Sequence, residues 1–193
     1  MRKVLVTVAL PEEMFEMPAN SCCRVVTTRV SKACAAYALT RAICFERPDI
    51  VVNMGSAGTL NMNIGDIVVP SHFIDRDLMP LAIEGVVAEM SGCNTLRLPS
   101  VVGGKENFAP YTASTGDDFV TAGSSVAGDV VDMESFAQAM VCRNEGIPFV
   151  AVKYVTDVIG QNSVKVWAEK LADARAALGT YFAKHIAPLA ETD

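Results

Sequence analysis

Histidine is almost missing from this chain, with only His72 and His185 among 193 residues. So thin a supply of imidazole argues against a Ser/His/Asp-type nucleophilic site, which needs a ring beside the nucleophile. The six cysteines, at 22, 23, 34, 44, 93 and 142, contain no Cys-x-x-Cys pair. With so little histidine, that argues against a zinc site. A chain this large and apolar needs no disulfide frame, so the cysteines read as reduced thiols of a cytoplasmic protein. Lysine and arginine nowhere cluster, and the net charge is −6, which disfavours a nucleic-acid partner. No apolar run reaches the roughly 18 residues of a membrane span. The Ala-rich stretch from Ala33 to Phe45 is broken by Arg41. Met1-Arg2-Lys3 before Val4–Leu10 faintly resembles a secretory leader, but Pro11-Glu12-Glu13 stands where small residues should precede cleavage. A buried first strand is expected there instead. Neither Gly-x-Gly-x-x-Gly nor a P-loop occurs.

Apolar residues are plentiful at 51%, against 20% charged, with a mean hydropathy of +0.30. That composition excludes a disordered chain and fits one domain around a sheet covered on both faces. The pattern alternates. Lys3–Ala9 and Arg24–Val30 are β-branched runs. Ser31 can cap a helix to about Glu46, with Ala35, Ala38, Leu39, Ala42 and Ile43 on one face. Asp49–Asn53 is a strand running into Gly55-Ser56-Ala57-Gly58, expected as a small-residue loop, and Asp66–Val69 is another strand. Residues 71–110 show no clear periodicity, and loops with at most one short strand are expected. Tyr111–Thr115 and Val130–Val131 read as strands, followed by a helix over about Met133–Glu145 with the stripe Met133, Phe136, Ala137, Met140 and Val141. Gly146 and Pro148 end it. Pro148–Val155 is a buried strand, and a last helix over Val164–His185 carries the stripe Val164, Trp167, Leu171, Ala174, Leu178 and Phe182. No repeat or linker interrupts the chain. The expected fold is a single-domain, three-layer α/β/α arrangement with a mixed, mostly parallel sheet.

Ligands of such folds bind at the carboxyl ends of strands. Three polar groups fall there: Glu12/Glu13, residues 55–58 and Asp157. Each has a plain structural reading as well. Glu12-Glu13 and Asp132-Met133-Glu134 suit helix N-termini, which favour acids. Gly55–Gly58 suits a tight turn, Asp157 suits a cap, and Trp167 suits a core stripe. Against this, an aspartate ending an apolar strand is partly desolvated and can donate a proton near neutrality. A carboxylate such as Glu134 can grip a sugar diol, and Phe119 and Trp167 can stack on a flat ligand. Carboxylates around a dry pocket suit glycosidic chemistry.

Five segments in order then become specific: Asp49–Gly58 (DIVVNMGSAG), Ile64–Val69 (IGDIVV), Thr115–Phe119 (TGDDF), Val131–Ser135 (VDMES) and Val152–Val158 (VKYVTDV). Together the chain resembles the purine nucleoside phosphorylase/nucleosidase superfamily, and within it most the 5′-methylthioadenosine/S-adenosylhomocysteine nucleosidases. The resemblance spans residues 3 to about 182. It implies hydrolysis of a purine nucleoside at its N-glycosidic bond, with no cofactor, and a homodimer. It implies that Glu13 activates the attacking water, with Ser56 near it in the loop that Gly58 closes. Met133 and Glu134 would hold the ribose, Glu134 on the 2′- and 3′-hydroxyls. Phe119 would stack on the purine while the backbone at Val120 reads its edge. Asp157 would protonate N7, oriented by Thr156, and Trp167 would line the 5′ pocket.

The chain also departs from that family. Segments 14–28 and 75–111 look shortened, and both shape the 5′ end of the pocket. Ser31 stands where a glycine is usual. Lys153 stands where many bacterial relatives carry arginine, and as a point charge it would hold water or a hydroxyl without a bidentate fork. Val51-Val52-Asn53-Met54 lacks the cation that phosphorylases place before the glycine-rich segment, which favours water over phosphate; Arg29 is the nearby cation that could reverse this. The alternatives are a phosphorylase, a nucleosidase for futalosine or AMP, and a non-catalytic nucleoside-binding protein.

Overall fold

A computed structural model describes residues 1–17, 23–81, 83–121, 126–161 and 163–191. Cys22 and the side chain of Val164 lie outside the described part. One mixed sheet organises the chain. Its centre is four parallel strands: β1 (Val4–Val8), β2 (Cys23–Thr27), β3 (Ile50–Thr59) and the long strand Phe149–Val158, which is β11 in chain order. Between β3 and β11 in sequence come β4 (Ile67–Val68), β5 (His72–Asp75), β6 (Glu89–Ser91), β7 (Ser100–Val102), β8 (Lys105–Asn107), β9 (Thr112–Thr115) and β10 (Val130–Asp132).

Side chains alternate across the sheet with period two, and each face has its own core. Val4, Val6, Val8, Ile50, Val52, Met54, Val150 and Val152 pack on one face under helix α3 (Ser163–Tyr181), through Ala174, Leu178 and, beyond it, Phe182. Leu5, Val51, Ala151 and Val155 pack on the other face under α1 (Lys32–Phe45) and α2 (Ser135–Glu145), through Leu39, Ile43, Phe136 and Ala139. Continuous apolar strands are what a sheet buried on both faces requires. The fold is the expected three-layer α/β/α arrangement.

Several local expectations are corrected. Residues 55–58 form no loop, because β3 continues through them to Thr59. Their smallness serves close approach: a Cβ on Gly58 would sit 3.2 Å from Asp157 Oδ2, and one on Gly55 would sit 3.4 Å from Glu13 Oε1. The described residues of 71–110 hold four short strands, β5 to β8, each too brief to show a period. The second strand ends at Thr27 rather than Val30, and α2 begins at Ser135, two residues late. The buried face of α2 is Ser135, Phe136, Gln138, Ala139 and Cys142, while Ala137, Met140 and Val141 are only partly covered. Gln138 is admitted because its amide oxygen accepts from Thr7 Oγ1 at 2.6 Å. The last helix breaks into a wide turn at Phe182–Ile186 before a short α4 (Ala187–Glu191).

Candidate active site

Parallel pairing brings the carboxyl ends of several strands to one edge. Asp75, Thr115 and Asp132 lie level at the ends of β5, β9 and β10. Gly58 pairs with Val131 on one side and Asp157 on the other. A cavity of about 250 Å³ opens over this edge, close to the lower end for small-molecule sites.

Glu13 enters from a single helical turn, Pro11–Glu13, that directly follows β1. It is buried, and its carboxylate is fixed from three directions. Oε1 accepts from Ser56 N at 2.9 Å and from Ser56 Oγ at 2.5 Å, while Oε2 accepts from Leu10 N at 3.2 Å. Ser56 Oγ in turn accepts from Trp167 Nε1 at 2.9 Å. Trp167 is therefore no plain core residue: a chain of hydrogen bonds runs from its indole through Ser56 to Glu13.

Asp157 owes its direction to a β-bulge. Val155 pairs with Ala57 and Asp157 with Gly58, which leaves Thr156 as the extra residue. Bulges re-aim side chains beside active sites, and this one turns Asp157 onto the cavity wall. Thr156 Oγ1 donates to Asp157 Oδ1 at 2.8 Å from behind.

Glu134 is the residue before α2, but its side chain does no capping. Asp132 caps instead, accepting from Ser135 N at 3.0 Å and from Ser135 Oγ. Glu134 is left facing the cavity, where Oε1 accepts from Ser31 N at 3.3 Å. Burial pushes its carboxyl up to about 8; the nearby Lys153 charge works against this, and Asp132 and Glu13 add to it. Burial would also raise Asp132, but the ammonium of Lys153 at 2.7 Å holds it below its ordinary value.

The cavity wall thus brings together Glu13, Ser56, Gly58, Phe119, Val120, Met133, Glu134, Asp157 and Trp167. Phe119 is 44% exposed and forms part of the rim. Thr156 and Lys153 are not on the wall. Thr156 stands behind Asp157, and Lys153, 1% exposed, directs its ammonium to Asp132. The exposed Arg29 is not on the wall either.

Arg76 is a wall residue that sequence reasoning missed. Its guanidinium donates from Nη1 to Ser114 O (3.0 Å) and Asp132 O (2.9 Å), from Nε to Asp118 Oδ1 (3.0 Å), and from Nη2 to Asp118 Oδ1 (2.8 Å) and Asp118 O (2.5 Å). All five of its N–H groups are engaged. It lies so close over Gly116 that a Cβ there would meet the guanidinium at 2.6 Å. The one local signal that could have pointed to it is Gly116, a glycine directly after a strand, and that says nothing of which residue approaches. Lys32 strengthens the same corner, pairing with Asp75 at 2.7 Å and Asp77 at 2.8 Å, while its N–H donates to Asp117.

Fold and site together define a class: an α/β protein with a cavity walled by carboxylates, under an aromatic rim, at the ends of its strands. The chain belongs to the phosphorylase superfamily, whose family model matches residues 15–184. It is 30% identical over 161 residues to a 5′-methylthioadenosine/S-adenosylhomocysteine nucleosidase of Buchnera aphidicola, covering 72% of this chain and 68% of that one. Among solved structures it is similar to the nucleosidase of the same description from Helicobacter pylori, with a TM-score of 0.79, 18% identity, and 96% and 97% of the two chains covered. Futalosine hydrolase of Helicobacter pylori is similar too, with a TM-score of 0.79, 17% identity and the same coverage.

Proposed function

We propose that the chain hydrolyses the N-glycosidic bond of a purine nucleoside, with 5′-methylthioadenosine or S-adenosylhomocysteine as substrate, releasing adenine and the 5′-modified ribose. The observation that carries this reading is the convergence of Glu13, Glu134 and Asp157, from three separate elements, on one cavity. The nucleosidases among its relatives support it.

As the bond breaks, the sugar becomes cationic and the purine anionic. Asp157 gives a proton to N7 and so discharges the leaving base; a placed general acid contributes about 10²–10⁴-fold. Glu134, ionised, accepts from both ribose hydroxyls and sets negative charge beside the forming cation. Glu13 accepts a proton from water and aims its oxygen at the anomeric carbon. Ser56 and Trp167 keep that carboxylate in one orientation. Phe119 covers the base, the backbone at Val120 reads its edge, and Met133 packs on the sugar.

Water rather than phosphate is the favoured nucleophile. The wall carries Glu13, Asp118, Asp132, Glu134 and Asp157, and its guanidinium, Arg76, has no donor left for an anion. The same argument disfavours AMP. A homodimer in the cytoplasm serving methionine salvage accords with this substrate. Dimerisation is supported by apolar side chains left in solvent, Tyr37 and Phe45 on α1 and Phe108 after β8.

The test is base release from 5′-methylthioadenosine, S-adenosylhomocysteine, adenosine and inosine, with and without phosphate. Adenine released without phosphate, fastest from a 5′-thio substrate, is the expected result. Release only with phosphate would make the protein a phosphorylase. Release from none of the four would remove the reading.

A further inference from the structure

We propose that Lys153 is a positioning residue, acting on the pocket through Asp132 and Glu134 without touching the ligand. The inference rests on the reading of Glu134 as the diol-binding carboxylate.

The geometry begins at the start of α2. First-turn amides of a helix need acceptors, and the residue before the helix ordinarily supplies one. Here Asp132 takes Ser135 N, and Thr115 Oγ1 takes Phe136 N at 3.1 Å while donating to Asp132 Oδ1 at 2.6 Å. The capping work is done from β9 and β10, so Glu134 is free to face the cavity. This arrangement puts a second carboxylate, Asp132, in the interior two residues from Glu134. A buried charge persists only when it is matched. Lys153 matches it: Nζ lies 2.7 Å from Asp132 Oδ2, and both side chains are at most 2% exposed.

The charged groups around Glu134 come from four elements. Lys153 stands on β11, Asp132 on β10, Glu13 on the turn after β1, and Asp157 shares the cavity from the end of β11. The Arg76 guanidinium, past the end of β5, is bound to Asp132 O. From α1's side the contact is the neutral N–H of Ser31. Arg76 holds only the carbonyl of Asp132, whereas Lys153 pairs with its carboxylate, the neighbour of Glu134. Removing its charge leaves Asp132 and Glu134 competing for a proton, and the ionised Glu134 becomes harder to keep. Removing the charge of Asp132 instead frees the ammonium to favour an ionised Glu134.

The experiment is the pH profile of kcat/KM for 5′-methylthioadenosine and for its 2′-deoxy analogue, in the wild type, Lys153→Met, Asp132→Asn and Lys153→Arg. The ribonucleoside profile should fall toward acid as Glu134 takes up its proton. Lys153→Met should move that limb to higher pH by about one unit or more. Asp132→Asn should move it to lower pH, and Lys153→Arg should leave it near the wild type. Opposite shifts are a readout that mere loosening of the core does not give. Limbs that move together, or not at all, in an enzyme that prefers the ribonucleoside would overturn the proposal. If Lys153→Met does not fold, a downward shift in Asp132→Asn with none in Lys153→Arg supports it, and any other pair of results overturns it. A wild type that treats both substrates alike at every pH would sink the diol reading itself, and the proposal with it.

Discussion

Asp157 and Trp167 illustrate two ways in which a side chain reaches the cavity. Asp157 depends on the bulge at Thr156 and on the missing side chain of Gly58 beside it. If it is the acid for N7, Asp157→Asn keeps the shape and loses the proton. Turnover should fall by about 10²–10⁴-fold while nucleoside still binds, which calorimetric titration alongside base release would check; a rate within a few-fold of wild type would remove Asp157 from the role. Trp167 is read as lining the 5′ pocket, yet its indole also donates to Ser56. Trp167→Phe keeps most of the ring and deletes that donor. A hydrogen bond of about 1 kcal/mol is at stake, so kcat should drop several-fold even on adenosine, which has no 5′-thio group. Loss confined to 5′-thio substrates would mean that the ring, and not its N–H, matters.

The connection into α1 carries backbone strain. Ser31 sits at φ 105° and ψ 152°, a region that is essentially glycine's own and costs other residues of order 1–3 kcal/mol. Its hydroxyl repays part of this by accepting from Cys34 N. Glycine is nearly as good a cap, though it loses more entropy on folding. Ser31→Gly should therefore raise stability by roughly 0.5–1 kcal/mol, read by thermal or urea unfolding; a fall of that size would show that the conformation is unstrained. Elements also differ in how legible they were. The long strands β1, β3 and β11 announced themselves by β-branched runs, and the acids at their ends were found for the same reason. The strands of residues 72–107 have three or four residues each and no room for alternation. Gly55–Gly58 looked like a turn because small residues are shared by turns and by crowded strands. Arg76 was hidden, since its partners Ser114, Asp118 and Asp132 are 38 to 56 residues away in the chain.

Taken across the entire protein, the pocket stores electrostatic cost that ordinary folding would avoid. The carboxyl of Glu134 is pushed up to about 8 in the folded chain, chiefly by burial. The folded state therefore holds that proton more tightly than the unfolded chain does. Stability falls as pH rises from the ordinary carboxylate range to about 8, and the loss is complete above it. Glu134→Gln should remove this slope, so that the gain in Tm of the variant over wild type widens from pH 5 to pH 8. Each kcal/mol is worth about 2–4 °C at this chain length. Parallel melting curves across that range would contradict the assignment. Quaternary structure is checked by light scattering: the exposed Tyr37, Phe45 and Phe108 lead us to expect twice the chain mass at micromolar concentration, and a monomer would count against the dimer.

The guanidinium of Arg76 ties the carbonyl of Asp132, two residues before Glu134, to Asp118, the neighbour of Phe119. One rigid knot thus anchors the segments assigned to the base and to the sugar. If those assignments hold, a change in either segment is felt by the other through the same guanidinium. Substitutions that retune the base end will carry hidden penalties at the ribose end, and pairs drawn from the two segments will combine non-additively.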